Sequence, residues 1–121
     1  MKYTLWNAED RSREFPDTFE IPSEQDRLSL DTWDVAKVIF DVPGYMPERM
    51  WVHVTKRHDS HGVWYEGQIG NHPLRVALTE PNLAWPVEVA CGNPVRFEPK
   101  HIVDLRKVDR TRTVNHEEPT R

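Results

Sequence analysis

Histidine is the residue of this sequence best suited to acid–base or metal chemistry, and the chain has six of them. His58 and His61 flank a predicted turn at a spacing that could bind a metal weakly. However, no cysteine or carboxylate cluster stands at the spacing of a zinc site. We therefore expect both to be solvated loop residues, and His53 and His101 to be hydrogen-bonded structural residues. The sequence has no Gly-rich phosphate loop, nucleophile elbow or His-Glu-x-x-His motif, which predicts no enzymatic activity, no metal and no cofactor.

Aromatic residues accompanied by arginine give a better indication of function. The sequence holds Trp51, Trp64, Tyr65 and Trp85 together with Arg49, Arg75 and Arg96. Such residues anchor protein interfaces because they bury a large area and still make polar contacts. Packing within the fold is the competing role, which we favour for Trp51 and Trp64, whereas Trp85 stands in a proline-flanked loop and is expected to be exposed. The candidate partner-binding residues are Arg49, Trp51, His53, Trp85 and Arg96, the first three only if no other segment covers them.

Three of these candidates lie in residues 48–55, which are predicted to form the central β-strand. Apolar and polar positions alternate there, and Val, Trp and Thr suit a pleated strand. Alternate residues of a strand point to opposite faces of the sheet. This places Met50, Val52 and Val54 on a core face, and Arg49, Trp51, His53 and Thr55 on the other face.

The surrounding pattern predicts more antiparallel strands. A strand over 35–42 precedes a turn at Pro43-Gly44. A hairpin tip at 59–62 leads into a strand over 63–69, in which Gly67 marks a bulge or a sharp bend. A short strand is predicted over 74–78, and either a short edge strand or a loop over 87–90. The end of the chain predicts a strand, a single 3₁₀ turn over 98–101 and a closing strand over 102–105, which is typical of SH3-type barrels. The fold class is therefore mainly β: a small SH3-like barrel or strongly bent antiparallel sheet, with an extended N-terminal arm and short helical turns.

We expect three regions: an N-terminal arm over 1–33, a β-barrel-like domain over 34–107 and a flexible C-terminal tail over 108–121. Short helices are predicted before Pro16 and after Ser23. Most of the apolar area of the arm should cover the outer face of the sheet, because it is too large to leave in water. The apolar residues concerned are Leu5, Trp6, Phe15, Phe19, Ile21, Leu28, Leu30 and Trp33.

The composition restricts the classes of partner. The chain has 121 residues and a net charge of −4, so the broad basic footprint of a duplex-binding protein is missing. Its single cysteine, Cys91, excludes an intrachain disulfide and is expected to be a small buried hydrophobe. No apolar run approaches the length that spans a bilayer, and we expect a cytoplasmic protein of bacterial or phage origin.

Several segments resemble the YegJ-like bacterial family, a domain of unknown function. They are residues 19–22, 36–40, 48–54, 67–73 and 95–102, which include Arg49-Met50-Trp51-Val52 and Phe97-x-Pro99-x-His101-Ile102. The resemblance covers about residues 19–105. Where relatives place Pro-Gly-Asp, this chain has Thr32-Trp33-Asp34, and it carries a longer stretch between Pro73 and Gly92. The resemblance implies a small β-rich domain and no catalytic residues.

Together these observations predict a non-catalytic protein-binding module, such as an adaptor, an immunity protein or an inhibitor of its partner. The alternative is a small nucleic-acid-binding β-barrel that uses Arg96, Lys100, the basic tail and exposed aromatic residues. The acidic balance of the chain disfavours that alternative.

Overall fold

A computed structural model describes residues 3–71 and 89–109 of the chain. Within them, six strands form an antiparallel sheet that curls into a half-barrel, with short helices beside it, which confirms the predicted mainly β fold. The strands are β1 (Thr4–Leu5), β2 (Val35–Asp41), β3 (Glu48–His58), β4 (Trp64–Ile69), β5 (Pro94–Phe97) and β6 (Asp104–Arg106). The helices are α1 (Ala8–Glu14), α2 (Glu24–Arg27) and a 3₁₀ turn (Pro99–His101). The strand predicted over 74–78, the Trp85 loop and the tail beyond residue 109 lie outside the described residues.

The sheet has the order β1-β2-β3-β4-β5, and β6 also pairs with β2. β1 pairs with the end of β2 near Phe40, whereas β6 pairs with its beginning near Val35. The two short strands therefore lie along one edge of β2. The 3₁₀ turn connects β5, which pairs with β4, to β6, which pairs with β2, and this is the order of strand, turn and closing strand that the sequence predicts.

The concave face of the sheet holds the main core, as strand alternation predicts. Its buried residues come from every long strand: Ala36, Val38, Phe40, Met50, Val52, Val54, Tyr65, Ile69, Val95 and Phe97. A glycine at position 67 permits the close approach of β4 to β3. A Cβ there would overlap the His53 carbonyl oxygen and lie 2.6 Å from Val52 Cγ1. The strand register shifts between Val54 and Lys56, opposite this glycine, so the predicted irregularity lies on β3.

The N-terminal arm begins both helices with side-chain caps. Asn7 Oδ1 accepts a hydrogen bond from the Asp10 N–H at 3.0 Å, and Ser23 Oγ accepts one from the Asp26 N–H at 3.2 Å. The buried Arg27 joins the two helices through an ion pair with Glu9 at 2.5 Å.

The arm covers only part of the outer face. Trp6, Phe19 and Ile21 pack in a second cluster with Ala8, Ile39 and Val103. Leu30 instead enters the core on the concave face. Trp33 is 77% exposed, so the expectation that it helps to cover the sheet is wrong. Cys91 is also exposed, in a turn where Gly92 has φ +93°, so its predicted burial is wrong as well.

Candidate functional site

The outer face of β2, β3 and β6 brings several candidate residues together where the arm ends. We call this surface the Trp51 face and define it by Lys37, Arg49, Trp51, His53 and Arg106. Strand register builds it, because Lys37 pairs with Trp51 across β2 and β3. On the other side of β2, residue 35 pairs with Arg106. The adjacent strands β2 and β3 and the distant strand β6 thus place side chains around one indole.

Cations surround Trp51. Lys37 Nζ lies 4.7 Å and Arg106 Cζ 5.3 Å from the centre of the half-buried Trp51 ring. Both distances permit a cation–π attraction. Arg49 Cζ lies 5.6 Å from the ring of Phe19, at the point where the arm meets this surface. The arm therefore borders the Trp51 face without packing Trp51 into its apolar cluster.

The positive charges of this surface are not neutralised by ion pairs. Among residues 3–71 and 89–109, none of Lys37, Arg49 and Arg106 forms one. A depression of about 540 Å³ lies beside Lys37 and Arg49, and the carboxylates of Glu20 and Asp104 also line it. The depression thus holds two cations and two acids, and Arg106 adds a third cation on the same face of the sheet, on a chain whose net charge is −4.

The backbone of Trp51 is fixed by residues that follow β4. Its N–H donates to Asn71 Oδ1 at 2.7 Å, and its carbonyl oxygen accepts from the Gly70 N–H at 2.7 Å. The Trp51 indole N–H forms no hydrogen bond with any described residue. The exposed His53 ring lies over Gly70, where an added Cβ would come within 2.5 Å of His53 Nε2. Gly70 and Asn71 thus position the surface.

Arg96 lies in a different cluster, centred on Trp64. The His58 ring stacks on Trp64 with centroids 3.7 Å apart and planes at 4°, and Arg96 Cζ lies 4.1 Å from the same ring centre. Since imidazole occupies one face of the indole, the guanidinium must lie over the other. His58 Nε2 is 2.7 Å from Glu66 Oε2. His58 therefore belongs to β3 rather than to a solvated loop, which corrects the expectation for it, whereas His61 is exposed.

The two aromatic clusters are separate surfaces. Arg96 pairs with Glu66, which pairs with Lys56. Arg96 is therefore two strands across from Trp51 and about five residues further along, a separation of about 20 Å. The sheet thus unites Arg49, Trp51 and His53 and leaves Arg96 apart, while Trp85 lies outside the described residues.

His101 has a structural role, as expected. Its Nδ1 accepts a hydrogen bond from the Glu98 N–H at 3.0 Å, within the capping box that begins the 3₁₀ turn. Burial lowers the pKa of His101 below its usual 6.5. Neutral imidazole is therefore the form that this turn requires.

Within the described part of the chain, no group of three or more His, Cys, Asp or Glu residues could hold a metal ion. The same part of the chain contains no helix that is both long and apolar enough to cross a membrane. Comparison with protein-family models, with curated proteins and with solved structures gives no match, so the resemblance to the YegJ-like family stays a prediction.

Proposed function

We propose that this chain is a non-catalytic protein-binding module, acting as an adaptor, an immunity protein or an inhibitor, and that its Trp51 face binds an acidic segment of the partner. The observation that carries the proposal is that Lys37 and Arg106 lie beside the Trp51 indole, with Arg49 on the same face, and that none of these three cations forms an ion pair with a described residue. Such a surface offers both charge and hydrogen bonding to carboxylates.

The physical argument rests on what each group gains when a partner docks. Among the described residues, Lys37, Arg49 and Arg106 contact aromatic rings and form no ion pair, although Glu20 and Asp104 lie nearby. Few intramolecular bonds must therefore break before these cations meet the carboxylates of a partner. Complementary charge also accelerates the encounter and selects acidic partners. Trp and Arg are the residues most often found at the energetic centre of an interface.

Binding of single-stranded nucleic acid is the alternative, since its phosphates are also anionic. Base stacking requires an uncovered aromatic face. Lys37 and Arg106 already lie over the Trp51 ring, and His58 and Arg96 lie over the Trp64 ring. The lack of an uncovered ring face for stacking favours an acidic polypeptide over a single-stranded nucleic acid.

The experiment measures anisotropy of a labelled Asp/Glu-rich peptide of about 12 residues, with an oligothymidylate of equal length as the competing probe. The Lys37→Gln/Arg106→Gln double variant removes two charges from the surface. Each lost contact with a carboxylate costs about 0.7 kcal/mol at an exposed site, so we expect roughly a tenfold loss of peptide affinity. The control Arg13→Gln/Lys56→Gln removes two exposed cations elsewhere and should change affinity less than about twofold.

A second readout is the NMR resonance of the Trp51 indole N–H, assigned with Trp51→Phe, which should shift on adding peptide. Equal losses in the two double variants would show general charge attraction and would contradict the proposal. Tighter binding of the oligothymidylate, with steep salt dependence, would establish the nucleic-acid alternative instead.

A further inference from the structure

Trp33 is displayed to solvent by a turn that holds it in an unfavourable backbone conformation. Its φ is +82°, in the region that favours glycine, and it is 77% exposed. The turn is rigidly built, because the buried Asp34 carboxylate accepts the N–H groups of Asp31 and Val108, both at 2.8 Å. The Trp33 N–H in turn donates to the Val54 carbonyl at 3.0 Å.

Neither property of Trp33 stabilises the fold. A side chain at positive φ is strained, and an exposed indole keeps a large apolar area in water. Strain of this kind that persists at an exposed residue points to a role in recognition. Glycine would satisfy the same turn without either penalty, so the indole itself requires an explanation.

The surroundings of Trp33 complement the Trp51 face. Asp31, which flanks the turn, is an exposed acid, whereas the cations of the Trp51 face form no ion pair with any described residue. Beside those cations is the depression of about 540 Å³, whose apolar wall includes Ile21, Pro22, Val103 and Leu105. Since Trp33 is exposed, its indole does not fill the depression of its own chain.

We infer that two copies of the chain associate about a two-fold axis, with Trp33 of each copy docking against the Trp51 face of the other. The turn precedes β2 directly and is bonded to β3, so the indole and the cationic surface adjoin on one region of the molecule. A patch that contains both complementary features is the requirement for a self-complementary two-fold interface. The inference rests on the proposed function in one respect, since it names a second copy as an occupant of the same binding surface.

The expected dimer is weak. An indole buries about 150–250 Å², so two of them supply only part of the roughly 1,200–2,000 Å² buried in a stable interface. Charge attraction between the acidic flank and the cations makes association weaker as ionic strength rises. The dimer would compete with an acidic partner for the Trp51 face.

The experiment is analytical ultracentrifugation of the full chain over about two decades of concentration, up to about 0.5 mM. The average mass of the natural sequence should rise above the monomer value of 14.3 kDa, and less so at high salt. Trp33→Gly should raise the dimer dissociation constant at least about tenfold without lowering the thermal unfolding midpoint. Met46→Gln alters another exposed apolar residue, 48% exposed, and should leave the dimer intact.

A chain that stays monomeric at every concentration would overturn the inference. So would a dimer that survives Trp33→Gly, or one that survives Lys37→Gln/Arg106→Gln. Binding of the acidic peptide is also measured for the Trp33→Gly variant, in which every residue of the Trp51 face is unchanged. Peptide binding without dimerisation would refute the dimer and support the proposed function. A dimer that depends on Trp33, in a chain that does not bind the peptide, would support the dimer and refute the proposed function.

Discussion

The hydroxyl of Tyr65 joins the N-terminal arm to the core, so Tyr65→Phe should destabilise the fold with almost no change in shape. Tyr65 is fully buried on β4. Its hydroxyl donates to the Arg27 carbonyl oxygen at 2.7 Å and accepts from the Leu30 N–H at 3.2 Å. Phenylalanine fills the same space and leaves both backbone groups without this partner.

The magnitude follows from these two bonds. Each contributes about 1 kcal/mol net, and stranding the buried Leu30 N–H adds a desolvation penalty, so we expect the free energy of unfolding to fall by about 2–3 kcal/mol. For 121 residues the unfolding entropy is about 0.25 kcal/mol/K, so the melting temperature should fall by roughly 8–12 °C.

The assay is urea unfolding followed by tryptophan fluorescence, with Tyr3→Phe as the matched control. Tyr3 is half-buried against Phe40, and its hydroxyl forms no hydrogen bond with any described residue. Its variant should change the unfolding free energy by less than about 0.5 kcal/mol. Equal effects of the two substitutions would refute the role assigned to the Tyr65 hydroxyl.

Alkaline titration gives an independent check on Tyr65. Burial raises its pKa above the usual 10.0, so the folded state holds this proton more tightly than the unfolded state. Stability is therefore complete below pH 10 and falls as the pH rises through the raised pKa. Tyr65→Phe should remove part of that fall, and an unchanged alkaline profile would contradict the burial argument.

Two further substitutions test the packing and the turns. Gly67→Ala places a Cβ against the backbone of β3 and should lower the free energy of unfolding in urea by about 2–3 kcal/mol. Gly70→Ala meets the movable ring of His53 closely and the Trp51 carbonyl oxygen only at an ordinary contact distance of 3.5 Å, so it should cost less than about 1 kcal/mol. Equal costs would contradict the close approach of β4 to β3. His101→Asn keeps an acceptor for the 3₁₀ turn but cannot titrate. Because burial lowers the pKa of His101, its contribution to stability should be complete above pH 6.5 and should be lost as the pH falls through the lowered pKa. Thermal melts between about pH 7 and 5 should therefore show a smaller fall in melting temperature for the variant than for the natural chain.

The strand pattern and the start of α2 could be predicted from the sequence because they depend on local order. Alternation in β3 placed Met50, Val52 and Val54 in the core correctly, and Ser23 marked the start of α2. The same alternation could not tell which outward residues are covered. Ile39 and Trp51 both point outward, yet the arm buries the first and stops short of the second, because its path is set by the contacts of Trp6, Phe19 and Ile21.

The Trp51 face itself was decided by tertiary structure. Arg49, Trp51 and His53 are neighbours in the sequence, but Lys37 and Arg106 reach them only because β2 pairs with β3 on one side and β6 on the other. No local pattern records that pairing, since it depends on the 3₁₀ turn returning the chain to the edge of β2. The alternation within each strand thus determined which side chains face outward. Long-range strand pairing determined which charged side chains lie close together, because the register fixes the distance between residues that are far apart in the sequence.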